Sequence, residues 1–303
     1  MSPAKKQNAP SPVPAWLKGL CSWLLGRGRP LLITLVLAGF FVGGAVETWR
    51  WIGPRILGSP EYRVTAERVE ITPPPEWIHS NVRAVVFQDP TLDGPLSLMD
   101  DDLAERIFRA FARHPWVAKV IRVNKQNLKV ELVYRRPACM VEVPGGLLPV
   151  DGEGILLPPV DFSSNEAAGY PRLTGVERGP TAAPGSRWPD AKVLGGAEIA
   201  AVVGPAWGAM RLQRIVPLPA DPAASVTERG NSGRRSAEPF FALLTRGGTR
   251  ILWGYAPGAN AMGELPAAEK LARLQRYLTD HDTLEGRQGQ PQELDVRTMR
   301  PSV

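Results

Sequence analysis

The chain has 303 residues, enough for about two domains, and its 44% hydrophobic and 22% charged content is typical of a sequence that can bury cores. Its net charge of +6 does not indicate a nucleic-acid-binding protein, because much of the basic excess precedes residue 31 and no basic stripe interleaved with stacking aromatics follows. Cys21 and Cys139 flank an apolar segment, which excludes a disulfide between them if that segment spans a membrane, and we expect Cys139 to be buried.

The first predicted element is a single transmembrane helix over 31–53. Leu31–Val46 carries no charge, and with the interfacial residues on either side the run reaches the roughly 20 residues that span a hydrocarbon core. Trp49 and Trp51 suit the aromatic belt of a membrane surface. The alternative is a cleaved signal peptide, because small residues near the end of the run have a spacing that a signal peptidase accepts. The long basic region before the run favours an uncleaved anchor.

The charges before this helix predict its orientation. Every charged residue in 1–30 is basic, and the first acidic residue is Glu47. By the positive-inside rule, residues 1–30 form a cytoplasmic tail and the part after the helix is extracytoplasmic. The sequence therefore predicts a single-pass protein of the cytoplasmic membrane.

A compact α+β module is predicted over 61–136. Tyr62–Ile71 is rich in Val and Ile and indicates a strand, which three consecutive prolines end. A capping-box pattern that begins at Ser97 precedes a helix, and this helix must end near Arg113 because Pro115 disfavours a helical conformation at the residue before it. The residues predicted to face the core from this helix are Leu103, Ile107, Phe108 and Phe111.

Two further strands complete the module. Trp116–Val123 is largely apolar, and a short polar turn follows it. Leu128–Tyr134 then alternates apolar with mostly polar residues, which is the period of a half-buried strand. The predicted order is strand, helix, strand, strand.

A β-rich domain is predicted over 137–303, because short apolar runs there are separated by Gly/Pro turns. Two strands joined by a turn at Gly247-Gly248 are predicted to form a hairpin. A helix is predicted to begin near Pro266, and Glu293–Thr298 to form a final strand. The residues predicted to line the buried face of the last helix are Ala267, Leu271, Leu274 and Leu278. The predicted fold class is α+β: an N-terminal transmembrane helix, the small module, and a β-rich domain with a C-terminal helix and strand.

The sequence contains no recognisable catalytic, cofactor-binding or metal-binding motif. The three histidines form no HExxH pair, and neither a CxxC pair nor a Gly-rich phosphate-binding pattern occurs. Asp100–Asp102 could bind a cation, but carboxylates at the start of a helix cap free N–H groups. His114 has no nucleophile or orienting partner nearby in the sequence. We therefore predict no catalytic residue, no cofactor, no metal and no enzymatic activity.

Several short motifs follow one another along the chain. They include a helix end, an Arg-Arg-Pro strand start, a Tyr-Pro-x-Leu-x-Gly stretch, and a terminal helix followed by a Leu-Asp-Val-Arg strand. In chain order these segments are His114–Val117, Arg135–Ala138, Val150–Gly154, Tyr170–Gly175, Glu269–Tyr277 and Leu294–Arg297. Their order together resembles the FtsQ/DivIB family of bacterial cell-division proteins.

The resemblance implies a short cytoplasmic tail, one anchor, a POTRA module and a β domain. It further implies a non-catalytic, bitopic divisome scaffold at the septum, which links division components and coordinates septal peptidoglycan synthesis. The implied partners are the membrane, small bitopic coiled-coil division proteins and, through them, the septal synthase complex. The alternatives are a membrane-anchored enzyme acting on cell-wall polymers, or a POTRA-type envelope-assembly or export factor.

Three features depart from the family pattern. Prolines follow Thr72 where the family often has a Gly-containing turn, and Gln126-Asn127 stands where Trp-Pro is usual. Family members commonly continue past the final strand into a further edge strand, whereas this sequence stops at Val303. We therefore expect that terminal strand to be missing or very short.

Two candidate partner-binding surfaces follow from these predictions. An exposed edge strand can accept a partner strand through backbone hydrogen bonds, and the candidate edge is the final strand: Leu294, Asp295, Val296, Arg297, Thr298 and Met299. The second candidate is the stretch Pro115, Trp116 and Val117, although we expect Trp116 to lie in the core.

Overall fold

A computed structural model of the chain describes residues 29–57, 62–94, 96–181, 183–218, 239–259, 263–286 and 289–297. Within these ranges lie six α-helices and ten β-strands. The chain divides into two compact units, one of Met1–Arg63 with Ser97–Met99 and one of Val64–Leu96 with Asp100–Val303. The predicted α+β class, with an N-terminal apolar helix, a β-rich body and a C-terminal helix and strand, is confirmed.

The first unit contains helix α1, Arg29–Leu57. Its segment Ile33–Gly53 has a mean hydropathy of 1.2, and it is long and apolar enough to cross a membrane. A signal sequence near an N-terminus would meet the same test. The large side chains of this segment, among them Phe40, Phe41 and Trp49, are exposed, as a lipid-facing helix requires.

The second unit begins with a three-stranded layer, in which helices cover a small sheet. Its elements are β1 (Glu70–Ile71), α2 (Val82–Val86), α3 (Leu103–Arg113), β2 (Val117–Asn124) and β3 (Lys129–Tyr134). The strand order is β1-β3-β2, with β1 parallel and β2 antiparallel to β3. The predicted helix end at Arg113 and the two predicted strands are confirmed.

Two details of this layer differ from the sequence prediction. The predicted strand Tyr62–Ile71 is a strand only at Glu70–Ile71, where Glu70 N donates to Leu128 O and Thr72 N to Val130 O. Its first residues form only an isolated bridge, Arg63 with Ser97, and a 3-10 turn over Ala66–Arg68 interrupts the strand. The predicted capping box is also wrong, since α3 begins at Leu103 and Asp102 occupies its N-cap without a side-chain hydrogen bond.

The predicted buried face of α3 is correct at three of its four positions. Leu103, Ile107 and Phe111 are buried, but Phe108 is 44% exposed, and Ala110 lies in the core in its place. At 100° per residue Phe108 lies at the border of the apolar stripe, so the sequence pattern alone did not decide its burial.

The rest of the second unit is built on a seven-stranded sheet. Its elements are β4 (Pro137–Val143), β5 (Gly146–Asp151), α4 (Ser164–Gly169), β6 (Arg172–Leu173), α5 (Ala191–Val203), β7 (Leu212–Leu218), β8 (Phe240–Thr245), β9 (Arg250–Gly254), α6 (Ala267–His281) and β10 (Glu293–Asp295). The strand order among the described residues is β10-β9-β8-β7-β6-β4-β5. The predicted hairpin, last helix and final strand are therefore present.

Helix α5 packs on this sheet and was not predicted. Its residues are apolar on nearly all sides, so it shows no polar face and no helical period. Two glycines allow the close approach: a Cβ at Gly195 would lie 2.8 Å from the Phe241 ring, and one at Gly196 would lie 2.6 Å from Leu173. The core that α5 shares with the sheet includes Val193, Ala197, Ile199, Ile215 and Trp253.

Candidate functional site

Strand β10 forms one edge of the seven-stranded sheet and runs parallel to β9. Gln292 accepts a hydrogen bond from Arg250 N (2.9 Å), and Val296 N donates to Leu252 O (3.3 Å). Because the main-chain groups of alternate residues point to opposite sides in a ladder, those of Glu293 and Asp295 face away from β9. In the described part of the chain no strand pairs with that side.

The open part of this edge ends immediately after Asp295, where Arg297 is held by contacts of its own. The main-chain N–H of Arg297 donates to Asp295 Oδ1 (2.9 Å), its guanidinium Nη2 lies 2.7 Å from Asp295 Oδ2, and its carbonyl accepts from Leu265 N (2.8 Å). Burial acts to raise the pKa of the Asp295 carboxyl, but the hydrogen bonds and charge of Arg297 outweigh it and hold that pKa below its usual value. The carboxylate is therefore ionised at neutral pH and keeps Arg297 in place.

A groove of about 680 Å³ lies between α6 and β10. Its floor is apolar, with Leu274, Leu294 and Val296. The wall from α6 carries charged and aromatic residues at helical spacing, namely Glu269, Arg273, Arg276, Tyr277 and Asp280. A groove of this kind beside an unpaired strand edge can take an extended peptide, which pairs with the edge and places alternate side chains on the floor.

Buried polar contacts hold α6 in its position. Lys270 is only 3% exposed, and its ammonium donates to Trp253 O (2.8 Å) and Glu264 Oε2 (2.5 Å). At the other end of the helix, the Tyr277 hydroxyl accepts from Gln292 Nε2 (3.0 Å), and His281 Nδ1 lies 3.1 Å from Tyr277 O. The groove therefore has a fixed wall.

The other strand edges in the described residues are less open. At β5, Pro149 has no N–H, and the segment that follows the strand covers it through Leu157 N to Pro149 O (2.9 Å) and Asp151 N to Ile155 O (3.1 Å). The outer edge strand of the three-stranded layer, β2, has two register shifts, which twist an edge away from regular pairing. Strand β1 has two residues. The β10 edge is therefore the most accessible to a partner strand.

Over 190 residues the chain is 33% identical to the protein named cell division protein FtsQ of Anaeromyxobacter sp. (strain K). The match covers 62% of the chain and 54% of the relative, so the chain spans about half the length of the curated relative that it matches. The chain is similar to FtsQ. No family model matches it.

The structure places the first candidate surface at an edge of the seven-stranded sheet; that it binds a partner stays a prediction. Leu294, Asp295 and Val296 line the groove, whereas Arg297 is buried and closes the edge. Thr298 and Met299 lie outside the described residues. The sequence did not reveal the buried pair of Lys270 and Glu264. A lysine on an otherwise apolar helix face indicates that it has a buried partner, but not which residue that partner is.

The second candidate surface lies largely inside the protein. Trp116 and Val117 are buried, and Pro115 is half-buried. The Trp116 indole N–H donates to Asp161 Oδ2 (2.5 Å), a carboxylate of the seven-stranded part. The expectation that Trp116 lies in the core is confirmed, and a partner at this stretch would meet mainly Pro115.

A further cleft of about 540 Å³ lies beside the connection from β3 to β4. Arg135 and Asp151, which line it, make structural contacts: Arg135 Nη1 lies 2.7 Å from Asp151 Oδ2, and Asp151 Oδ1 accepts from two main-chain N–H groups. The Tyr134 hydroxyl donates to Thr72 O, and burial raises the pKa of Tyr134 to about 12, so the phenol stays protonated. Among the described residues that line this cleft we find no nucleophile paired with a base.

Proposed function

We propose that this chain is a non-catalytic, single-pass division scaffold of the bacterial cytoplasmic membrane. Residues 1–30 would form the cytoplasmic tail, 31–53 the anchor, 61–136 a POTRA-like module and 137–303 a β domain at the septum. The observation that carries the proposal is the β10 edge beside the α6 groove, with which no strand of the described residues pairs, because such an edge can accept an extended segment. The similarity to a protein named FtsQ and the apolar helix α1 support it.

The partner in this proposal is a small bitopic coiled-coil division protein, and through it the septal synthase complex. Its extended segment pairs with the outward main-chain groups of Glu293 and Asp295. Side chains on one face of that segment contact Leu294 and Val296, and those on the α6 side contact Arg276 and Tyr277. The scaffold then coordinates septal peptidoglycan synthesis by binding and positioning, with no bond made or broken.

The experiment is in vivo photo-crosslinking of the tagged full-length chain. In the test variant, a photoreactive amino acid replaces Arg276, which is exposed on the groove wall. In the matched control it replaces Gln275, which is exposed on the same helix but does not line the groove. We expect the Arg276 position alone to capture a small bitopic division protein. Capture of only transport or outer-membrane factors would contradict the proposal and favour an export role.

A further inference from the structure

The buried carboxylate of Asp161 joins the three-stranded layer to the seven-stranded part. Asp161 ends a short turn between β5 and α4 and is 3% exposed. Its Oδ1 accepts from Ser80 N (2.7 Å), and its Oδ2 accepts from Ser80 Oγ (2.9 Å) and from Trp116 Nε1 (2.5 Å). All three donors belong to the three-stranded layer, 45 and 81 positions away in the sequence.

The carboxylate depends on these donors, because no ion pair to it occurs among the described residues. The charge of Asp161 acts on His114 and raises the pKa of that imidazole, but burial outweighs it and lowers the pKa of His114. The imidazole is therefore neutral at neutral pH, and its Nδ1 accepts from Trp116 N (3.3 Å). A buried carboxylate that is stabilised by dipoles alone is costly to leave without them.

Aromatic contacts continue from Trp116 at this junction, and a more exposed contact lies at its rim. The rings of Trp116 and Phe162 lie 5.9 Å apart, and those of Phe162 and Tyr170 lie 5.8 Å apart. At the rim, His79 Nε2 lies 2.8 Å from Glu166 Oε1, with both side chains about half exposed. The rim contact is half exposed to solvent, so the buried centre contributes most of the specificity of the junction.

We infer that Asp161 locks the three-stranded layer and the seven-stranded part into one body with a single relative orientation. Separation of the two would leave the carboxylate without its donors and expose the fully buried Trp116. The direction in which the β10 edge faces is then fixed relative to the three-stranded layer. This inference does not depend on the proposed function.

The test is a distance measurement on the full-length protein in detergent. Spin labels are placed at two exposed positions, Ile121 on β2 and Ala268 on α6, with Cys21 replaced by Ser; Cys139 is fully buried and stays unlabelled. We expect one narrow distance distribution in the parent protein. In Asp161→Asn we expect at least about a twofold broadening of that distribution, or a second distance, because the amide N–H₂ would oppose the existing donors.

The control is Glu166→Gln, which removes the carboxylate from the rim contact with His79 but keeps an acceptor for the capping box of α4. It should keep the narrow distribution. If Asp161→Asn does not fold, Ser80→Ala and Trp116→Phe replace it, since each removes donors and leaves the carboxylate in place. Broadening in these variants supports the inference. A distribution as narrow as that of the parent protein in Asp161→Asn, or in both replacement variants, overturns it.

Discussion

His114 shows how a residue without a functional motif can still determine the pH range of the fold. It lies directly after α3, is buried, and accepts the Trp116 main-chain N–H at Nδ1. A proton on that nitrogen would remove the acceptor and place a charge in the interior. Burial therefore lowers the pKa of His114 below its ordinary value of 6.5, despite the nearby charge of Asp161.

We predict that stability falls when the pH falls below about 6.5. Because the pKa of His114 is lower in the folded state, the unfolded state binds more protons in this range. The stabilisation is complete above the unfolded pKa and is lost as the pH falls through the folded pKa. Thermal unfolding between about pH 7.5 and pH 5.5 should show a smaller loss in His114→Gln than in the parent protein. The control is His281→Gln, which should keep the parent slope; an unchanged slope in His114→Gln would contradict the account.

At the scale of single elements, the structure depends on contacts that sequence patterns do not encode. Amphipathic period and local turns were enough to predict α3, the β2–β3 pair, the β8–β9 hairpin and α6. Helix α5 was missed because both its faces are apolar, and β1 was predicted too long because strand length depends on a distant partner. The α6 groove and the Asp161 junction could not be predicted, since their polar partners come together only in the folded chain.

Helix α5 allows a prediction about close packing. Replacing Gly195 by Ala improves helix propensity by about 1 kcal/mol, but the new methyl would overlap the Phe241 ring and lie 3.0 Å from Ala256 Cβ. We expect Gly195→Ala to destabilise the protein by about 1–2 kcal/mol in denaturant unfolding. In Gly169→Ala, where nothing lies within 4 Å, the loss should be absent. A Gly195→Ala variant as stable as the parent would mean that α5 can shift outward.

Helix α6 allows a prediction about buried charge. Lys270→Met leaves Glu264 without its cation, and we expect a loss of about 3 kcal/mol in urea unfolding. Lys270→Met combined with Glu264→Gln should recover a large part of that loss, because no unpaired charge remains inside. If the double variant is as unstable as the sum of the two single variants, the pair does not couple and α6 is held by its apolar face alone.

At the scale of the whole molecule, the described residues combine an apolar helix fit to anchor a chain with a body that leaves one sheet edge open. Over 190 residues the chain is similar to a protein named FtsQ. The open part of that edge ends at Arg297. Helix α6 lies beside the edge and is held in place by buried contacts. Such a body is suited to capturing an extended segment in one orientation, and the central claim is that β10 is where capture occurs.

The most direct test of this claim compares Glu293→Pro with Glu293→Ala in the full-length chain. Both variants lose the long ion pair between Glu293 and Arg250 (3.7 Å), and neither loses a hydrogen bond to β9. Only proline also removes the main-chain N–H that faces away from β9. The measurement is the yield of the partner crosslinked from the photoreactive amino acid at Arg276. We predict about a tenfold lower yield in Glu293→Pro and a nearly unchanged yield in Glu293→Ala. Equal yields in the two variants would contradict capture at the β10 edge.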